Sequence, residues 1–325
     1  MRFVPDYTMD ILTEEAFPVA IRQIEERLAA CRVSGFFDAF DGEKLFYEYF
    51  LAENSRASIV LVHGLSEFTK KFYEITFYFL NQGYNVFLYD QRCHGMSCRL
   101  TDRIDVIHVD DFADYEKDLA TFIDTVVKPA EDKPLYLYSH SMGGAVCAMY
   151  MANHPKAIVK AVMSAPLIDP VASPLPRWFI RPGLRIGGLI FGKKTKFALS
   201  SEFNPNHPFE KAGDASHNRF MHNLTMRRQE PMYQSTPMSY GWVYQSLILC
   251  SRLLKKGFVE QIETPILLFS AERDTVVKID AQHRFAARCR TCQLWTLKDA
   301  THAILSGTQD TITEHIRMTM DFYRD

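Results

Sequence analysis

The sequence has no long apolar run and no excess of charge of either sign. No segment approaches the roughly 18 consecutive apolar residues of a membrane span, and residues 1–10 lack the apolar stretch of a secretion signal. Lys and Arg number 37 against 39 Asp and Glu, so a net charge of −2 gives no general basic field for nucleic acid. We therefore expect a cytoplasmic protein that does not bind nucleic acid and is at most peripheral on the inner face of a membrane.

Cysteine is neither abundant nor arranged as in a metal site. The 7 cysteines are an odd number, so they cannot all pair within the chain. Cys289 and Cys292 form a C-x-x-C outside the strand–helix context of a redox motif. No metal-ligand spacing occurs among the other five, which are Cys31, Cys93, Cys98, Cys147 and Cys250. Scattered thiols suit a reducing compartment, and we expect neither a metal nor an organic cofactor.

Short apolar runs alternate with helical patterns along most of the chain. Four runs have the length and apolar character of buried strands, namely 58–62, 85–90, 134–139 and 265–270. Strands separated by helical stretches favour a mostly parallel sheet with helices on both faces. The sequence therefore predicts an α/β fold in which the carboxyl ends of several strands meet at one edge.

The domain organisation predicted from these patterns is a single domain, 1–325, with one insertion. Its core covers about 31–166 and 242–325, and an amphipathic helix over 11–30 precedes it, with apolar residues at helical spacing. Residues 167–241 break the alternation with prolines, glycines and short apolar stretches. We predict that they form a cap over the core.

The cap contains a basic and apolar segment, 175–200, without a single acidic residue. Large apolar side chains alternate there with six cations, which are Arg177, Arg181, Arg185, Lys193, Lys194 and Lys196. One interpretation is the solvated surface of a subdomain. The other is a lid that meets apolar, anionic material such as a lipid surface.

Ser141 lies in a short motif between a predicted strand and a predicted helix. The sequence Ser139-His-Ser141-Met-Gly143-Gly matches the G-x-S-x-G nucleophile elbow, with Ser139 in place of the first glycine. At such a turn the serine is held in a strained backbone conformation with its hydroxyl exposed, and its neighbours must be small because strand and helix approach closely. We predict that Ser141 is a nucleophile.

A serine hydroxyl needs a general base, and the base needs an orienting acid. Asp274 follows the strand 265–270 by a short turn. His302 follows the next predicted strand, 293–297, by a similar turn. The order Ser…Asp…His is used by triads on sheets of this kind. We predict Asp274 as the acid and His302 as the base.

Other carboxylates and imidazoles lie near these positions. The rival acids are Asp280, further along its loop, and Asp299, three residues before His302. The rival bases are His140, whose side chain should point away from the Ser141 hydroxyl, and His283.

The loop after the strand 58–62 reads His63-Gly-Leu65-Ser-Glu and can place a second backbone N–H beside the reacting carbonyl. We predict Leu65 and Met142 as the two oxyanion donors. His63 is interpreted as a structural hydrogen-bonding residue, and the loop 90–97 as a braced segment without chemistry.

These motifs together resemble a known family. The segments SHSMGGA, HGLSE, DQRCHGMS, PILLFSAERD and DATHAIL are similar to the monoacylglycerol lipase and bacterial lysophospholipase branch of the α/β-hydrolases, over about 33–323. The resemblance implies an α/β-hydrolase fold with Ser141, Asp274 and His302 as the triad and Leu65 and Met142 as the oxyanion hole. Where the family often has glycine, histidine and glycine, this sequence has Ser66, Phe68 and Cys93.

The function expected from the residues and the resemblance is that of a serine esterase. Its substrates would be carboxylic esters of lipids, either lysophospholipids or monoacylglycerols, cleaved through an acyl-enzyme. A serine aminopeptidase or a small-molecule carboxylesterase of the same fold is an alternative, although the basic segment 175–200 disfavours recognition of a free amine. A hydrolase-fold binding protein without chemistry is a further alternative. The oligomeric state stays open.

Overall fold

Eight strands form a single sheet in the computed structural model, which describes residues 1–171 and 177–324 and, over 177–179, the backbone alone. The spatial order is β1-β2-β4-β3-β5-β6-β7-β8. β1 pairs antiparallel with β2, β2 antiparallel with β4, and every other neighbouring pair is parallel. The strands are β1 (Val33–Asp38), β2 (Lys44–Phe50), β3 (Ala57–Val62), β4 (Tyr84–Tyr89), β5 (Leu135–His140), β6 (Lys160–Ser164), β7 (Ile266–Ala271) and β8 (Cys292–Leu297).

Helices cover both faces of this sheet. They are α1 (Phe17–Cys31), α2 (Tyr73–Asn81), α3 (Ala113–Phe122), α4 (Lys128–Ala130), α5 (Met142–Asn153), α6 (Arg177–Phe191), α7 (His217–Gln229), α8 (Tyr240–Leu253), α9 (Ile279–Arg288) and α10 (Gln309–Arg324). Apolar residues of α3, α5, α8 and α9 pack on one face, and those of α1, α2 and α10 pack on the other. The predicted mostly parallel, helix-covered sheet is confirmed.

Burial on both faces explains the strand sequences. Every residue of β3, β4 and β7 is buried, as expected for central strands that read as continuous apolar runs. In the edge strand β8 only Leu297 is buried, and the other residues are half-buried or exposed. The apolar patterns therefore report how deeply each strand lies in the sheet.

The first helix differs in extent from the sequence prediction. It begins at Phe17 instead of residue 11 and ends at Cys31. Pro18 occupies its first turn, where the missing N–H costs no hydrogen bond and the fixed backbone angle suits a helix start. The apolar spacing alone did not identify this start.

The segment between β6 and α8 contains α6 and α7 and is tied to the amino-terminal region. Ser216 caps α7, and its hydroxyl also donates to Glu14 Oε2. Arg219 is 5% exposed and donates from Nε and Nη2 to the Glu74 carboxylate and from Nη2 to the Leu12 carbonyl. These charge-assisted bonds fix α7 against α2 and against the segment that precedes α1. Over the described ranges, no helix is long and apolar enough to cross a membrane.

Candidate active site

The turn between β5 and α5 holds Ser141 in a left-handed backbone conformation. Its φ is 50° and its ψ is −116°, a region that L-residues rarely adopt and that costs on the order of 1–3 kcal/mol. A Cβ added at Gly143 would lie 2.1 Å from the Val62 carbonyl oxygen, and one at Gly144 would lie 2.5 Å from Pro166 Cβ. The helix can therefore approach β3 at Gly143, and the segment after β6 at Gly144, only because both positions are glycine.

Ser141, His302 and Asp274 form one chain of hydrogen bonds. His302 Nε2 lies 2.9 Å from Ser141 Oγ, and His302 Nδ1 lies 2.7 Å from Asp274 Oδ2. Asp274 Oδ1 accepts from the backbone N–H groups of Val276 and Val277 at 2.8 and 2.9 Å, which fixes the carboxylate plane. An ionised carboxylate accepts only, so the ring donates from Nδ1 and offers the Nε2 lone pair to the serine.

Burial has a direct effect on the histidine. It lowers the pKa of His302 below its usual value, and the hydrogen bond with Asp274 offsets part of this change. Near neutral pH the ring is therefore in the form that can accept a proton from Ser141.

The rival carboxylates and imidazoles are placed elsewhere. Asp280 pairs with Arg284 and Asp299 pairs with Arg273, in both cases with exposed partners. His283 is exposed on α9. His140 contacts Glu67 and the carbonyl oxygen of His302 instead of the Ser141 hydroxyl. The structure brings none of these four into hydrogen-bonding distance of Ser141.

The loop after β3 lies directly against the serine. A Cβ added at Gly64 would lie 3.0 Å from Ser141 Cβ. Leu65 follows this glycine, and Met142 is the first residue of α5, where a helix leaves its N–H groups without intrahelical partners. In the described chain, neither the Leu65 nor the Met142 N–H donates a hydrogen bond. Both are available to a developing negative charge beside Ser141.

A buried carboxylate that sequence reasoning missed ties three parts of this site together. Glu67 Oε2 accepts from Gly64 N–H at 2.5 Å and from His140 Nδ1 at 2.9 Å, while Oε1 pairs with Lys71 Nζ at 2.5 Å. Burial alone would raise the pKa of the Glu67 carboxyl, but His140 and Lys71 hold it well below its usual range. The loop after β3 and the end of β5, directly before Ser141, therefore both contact the Glu67 carboxylate.

His140 extends this network to the base. Its Nε2 lies 3.2 Å from the His302 carbonyl oxygen, and its ring centroid lies 5.1 Å from that of His302. Both of its nitrogens therefore face acceptors, namely the Glu67 carboxylate and the His302 carbonyl oxygen. The only sequence signal was Lys71 four residues after Glu67, a spacing that also occurs on ordinary solvated turns.

His63 has the structural role that the sequence suggested. Its Nε2 accepts from the Gln91 N–H at 2.9 Å, so its Nδ1 donates to the Gly64 carbonyl at 2.7 Å. Complete burial lowers its pKa to about 4, so the ring is neutral near pH 7. The ring therefore fixes the start of the oxyanion loop without carrying a proton.

Two departures from the family pattern occupy special backbone positions. Ser66 and Cys93 have φ values of 61° and 62°, the left-handed region in which glycine is unstrained. Both loops therefore keep a backbone conformation that favours glycine although Ser66 and Cys93 carry side chains. This conformation has an energetic cost in each loop.

Among the described residues, no group of three or more His, Cys, Asp and Glu side chains is arranged to hold a metal ion. Cys289 and Cys292 of the C-x-x-C are both free thiols.

The elbow glycine yields a stability prediction. We expect Gly143→Ala to lower the free energy of unfolding by about 2 kcal/mol or more, because the new methyl group must displace β3 or the first turn of α5. The matched control is Gly183→Ala in α6, where nothing lies within 4 Å of the added Cβ. That control should be neutral or stabilising by up to about 1 kcal/mol. Urea unfolding of both variants measures the difference, and equal stabilities would contradict the close approach.

Known proteins are similar to this chain over most of its length. The family model Hydrolase_4, described as serine aminopeptidase, S33, matches residues 53–309. A probable lysophospholipase L2 of Haemophilus influenzae is 28% identical over 269 residues, covering 81% of this chain and 82% of its own. Lysophospholipase L2 of Escherichia coli K12 is 26% identical over 272 residues, covering 83% and 77%.

A solved structure supports the same fold. The soluble variant of monoglyceride lipase from Saccharomyces cerevisiae, in complex with a substrate analogue, superposes with a TM-score of 0.70. The alignment covers 89% of this chain and 93% of that one at 20% sequence identity, which bears on the fold alone. Because the family model spans well over half of the 325 residues, the chain belongs to the Hydrolase_4 family of α/β-hydrolases.

Proposed function

We propose that this protein is a serine hydrolase that cleaves carboxylic esters of lipids, either lysophospholipids or monoacylglycerols, through an acyl-enzyme. The observation that carries the proposal is the hydrogen-bond chain from Asp274 through His302 to Ser141. Two relatives that match over about four-fifths of this chain are named lysophospholipases, which supports a lipid ester as the substrate.

The mechanism follows from the donors and acceptors. As Ser141 Oγ attacks the ester carbonyl, its proton moves to His302 Nε2, and the carbonyl oxygen becomes an oxyanion bound by the Leu65 and Met142 N–H groups. His302 then protonates the leaving alcohol as the C–O bond breaks. Water attacks the acyl-enzyme by the same route, giving a fatty acid and free Ser141. Asp274 fixes the ring tautomer and stabilises the transient imidazolium.

The proposed domain organisation has one catalytic domain, 1–325, whose core is about 31–166 and 242–325. Residues 167–241 act as its cap and 11–30 as its amino-terminal helical segment. The ties from Arg219 to Glu74 and from Ser216 to Glu14 support a cap that is anchored at α7.

The cap helix α6 supports contact with a membrane. Ile186, Leu189, Ile190 and Phe191 are each more than half exposed near its carboxyl end. Exposed apolar side chains grouped on one element are typical of interaction sites. We therefore propose that the enzyme is cytoplasmic and binds peripherally to the inner face of a membrane through this helix.

The cations of the cap divide into paired and unpaired groups. Lys193 pairs with Asp110 and Lys196 with Glu202. In the described part of the chain, no carboxylate pairs with Arg181, Arg185 or Lys194, while the side chains of 177–179, including those of Arg177, Trp178 and Phe179, lie outside the described residues. The unpaired cations are the ones available to anionic head groups.

A substrate panel tests the proposed function. Lysophospholipids, monoacylglycerols, a short-chain aryl ester and an aminoacyl amide are each incubated with the full chain and with Ser141→Ala. We expect hydrolysis of the lipid esters by the parent chain, none by Ser141→Ala, and no turnover of the amide. Preferential cleavage of the aminoacyl amide would instead establish an aminopeptidase.

The acid is tested by a conservative substitution. Asp274→Asn should keep the geometry but favour the wrong histidine tautomer, reducing kcat/KM on the order of 10³–10⁴-fold. The matched controls Asp280→Asn and Asp299→Asn remove an equal charge from exposed ion pairs and should keep most activity. A larger loss in either control than in Asp274→Asn would reassign the acid.

The cap cations are tested by vesicle binding. Each cation near an anionic surface contributes about 1 kcal/mol, so Arg181→Gln/Arg185→Gln should weaken binding to phosphatidylglycerol vesicles at least tenfold and flatten its salt dependence. The control Lys256→Gln/Arg290→Gln removes two other exposed cations and should bind as the parent does. Unchanged vesicle binding would contradict the proposal. An equal loss of activity towards a soluble ester would also contradict it, since these arginines would then be needed for the fold.

A further inference from the structure

A cleft of about 670 Å³ lies between α1 and α7, away from the catalytic residues. Pockets of this volume are typical of sites for small molecules. Buried Phe17, Ile21 and Tyr73 form its floor. None of Ser141, Asp274, His302, Leu65 and Met142 lines it. The cleft is therefore separate from the triad.

The wall formed by α1 presents a continuous stripe to the cleft. Pro18, Arg22, Glu25, Ala29 and Arg32 recur at spacings of three or four residues and so share one helix face. Ala29 is the smallest of these and leaves room between the turn that carries Arg22 and the end that carries Arg32. The open space is thus bordered by a cation at each end.

The charge of the cleft is positive. Arg22, Arg32 and Lys70 line it, and the acid among its lining residues, Glu25, lies 3.3 Å from His222 Nε2. Over the described ranges, neither Arg22 nor Lys70 forms an ion pair, and both side chains are at least partly exposed. These cations are available to an anion from solution.

The buried Glu48 carboxyl neutralises Arg32 only weakly. Its Nη1 lies 3.5 Å from the Tyr73 hydroxyl and 3.9 Å from Glu48 Oε2, a carboxyl that is fully buried in β2. Burial raises the pKa of Glu48, which reduces the negative charge beneath the cleft. Lys70 also lies close enough to influence this carboxyl. Arg32 and Lys70 therefore converge on one end of the cleft.

The remaining surface suits an alkyl chain. Met221 and Met226 of α7 are half-buried and face Ile21 across the cleft. Methionine side chains are flexible and polarizable and adapt to apolar ligands of varied shape. A neighbouring pocket of about 40 Å³ shares Met226 with the cleft and is also lined by Leu305 and Ile316. It is too small for a whole chain. An alkyl chain would therefore lie along the outer cleft.

We propose that this cleft is a second lipid site, which binds a single-chain amphiphile with an anionic head group. The head contacts Lys70 and Arg32, and the chain lies between Ile21 and the two methionines. A fatty acid carboxylate and the phosphate of a lysophospholipid share this chemistry. The proposal goes beyond the proposed function, since the binding needs no reaction at Ser141.

The test uses the full chain carrying Ser141→Ala, so that binding is measured whether or not the protein is a hydrolase. A fatty acid with a diazirine in its chain is titrated below its micellar concentration, photolysed, and mapped by peptide mass spectrometry. We expect crosslinks in α1 or α7, around Ile21, Met221 and Met226. Crosslinks confined to the surroundings of the Ser141 position would overturn the proposal.

Two variants test separately the contribution of the cations and that of the open space in the cleft. Arg32→Gln/Lys70→Gln should weaken binding of the probe on the order of tenfold, because it removes the two charge-assisted contacts to the head group. Ala29→Phe fills the cleft from the exposed face of α1 and should abolish the α7 crosslinks with both cations intact. The control Lys256→Gln/Arg290→Gln removes the same charge at the β8 side of the molecule and should bind as the parent does.

Competition identifies the head group. Unlabelled palmitate and lysophosphatidylglycerol are compared as competitors, and the more potent one names the source of the anion. A neutral monoacylglycerol should compete at least tenfold less well than either. Equal potency of the neutral lipid, unchanged binding in both cleft variants, or an equal loss in the control would each overturn the proposal.

Discussion

The close approach of α5 to the central strand β3 is the constraint on which the rest of the site depends. At Gly143 there is no space for a side chain between the helix and the Val62 carbonyl. At the turn before it, Ser141 has a left-handed conformation. The serine hydroxyl is consequently fixed above the carboxyl ends of the strands, and the first N–H of α5 is directed to the same space. In the proposed mechanism, the strain at Ser141 therefore serves to present the nucleophile.

The buried carboxylate of Glu67 connects the segments around Ser141. Glu67 joins the oxyanion loop at Gly64 to His140 of the elbow strand, and His140 in turn donates to the carbonyl of His302. Three loops that follow different strands are thereby held in register by one side chain and its partners. Removing one member of such a buried network leaves charges without partners. Conformations of these loops that break the network are therefore costly.

The sequence predicted those features whose signals are local. The strand–turn–helix context predicted the position of Ser141. Short turns after apolar strands placed Asp274 and His302 at the same edge, because parallel strands bring their carboxyl ends together. The Glu67–His140 contact joins residues 73 positions apart, and no periodicity encodes it. The α1–α7 cleft likewise arises from tertiary packing of Phe17 near His222, which neither helix reveals by itself. The start of α1 at Phe17 was missed because apolar spacing continues through the preceding turn.

Covalent labelling tests the central claim most directly, namely that His302 and Asp274 activate Ser141 as the nucleophile. The full chain is treated with a fluorophosphonate and examined by intact mass and peptide mapping, with lipid ester hydrolysis followed in parallel. The account predicts one adduct per chain, located on Ser141, with hydrolysis lost in proportion to labelling. Hydrolysis that persists after stoichiometric labelling, or an adduct on a different residue, would contradict it.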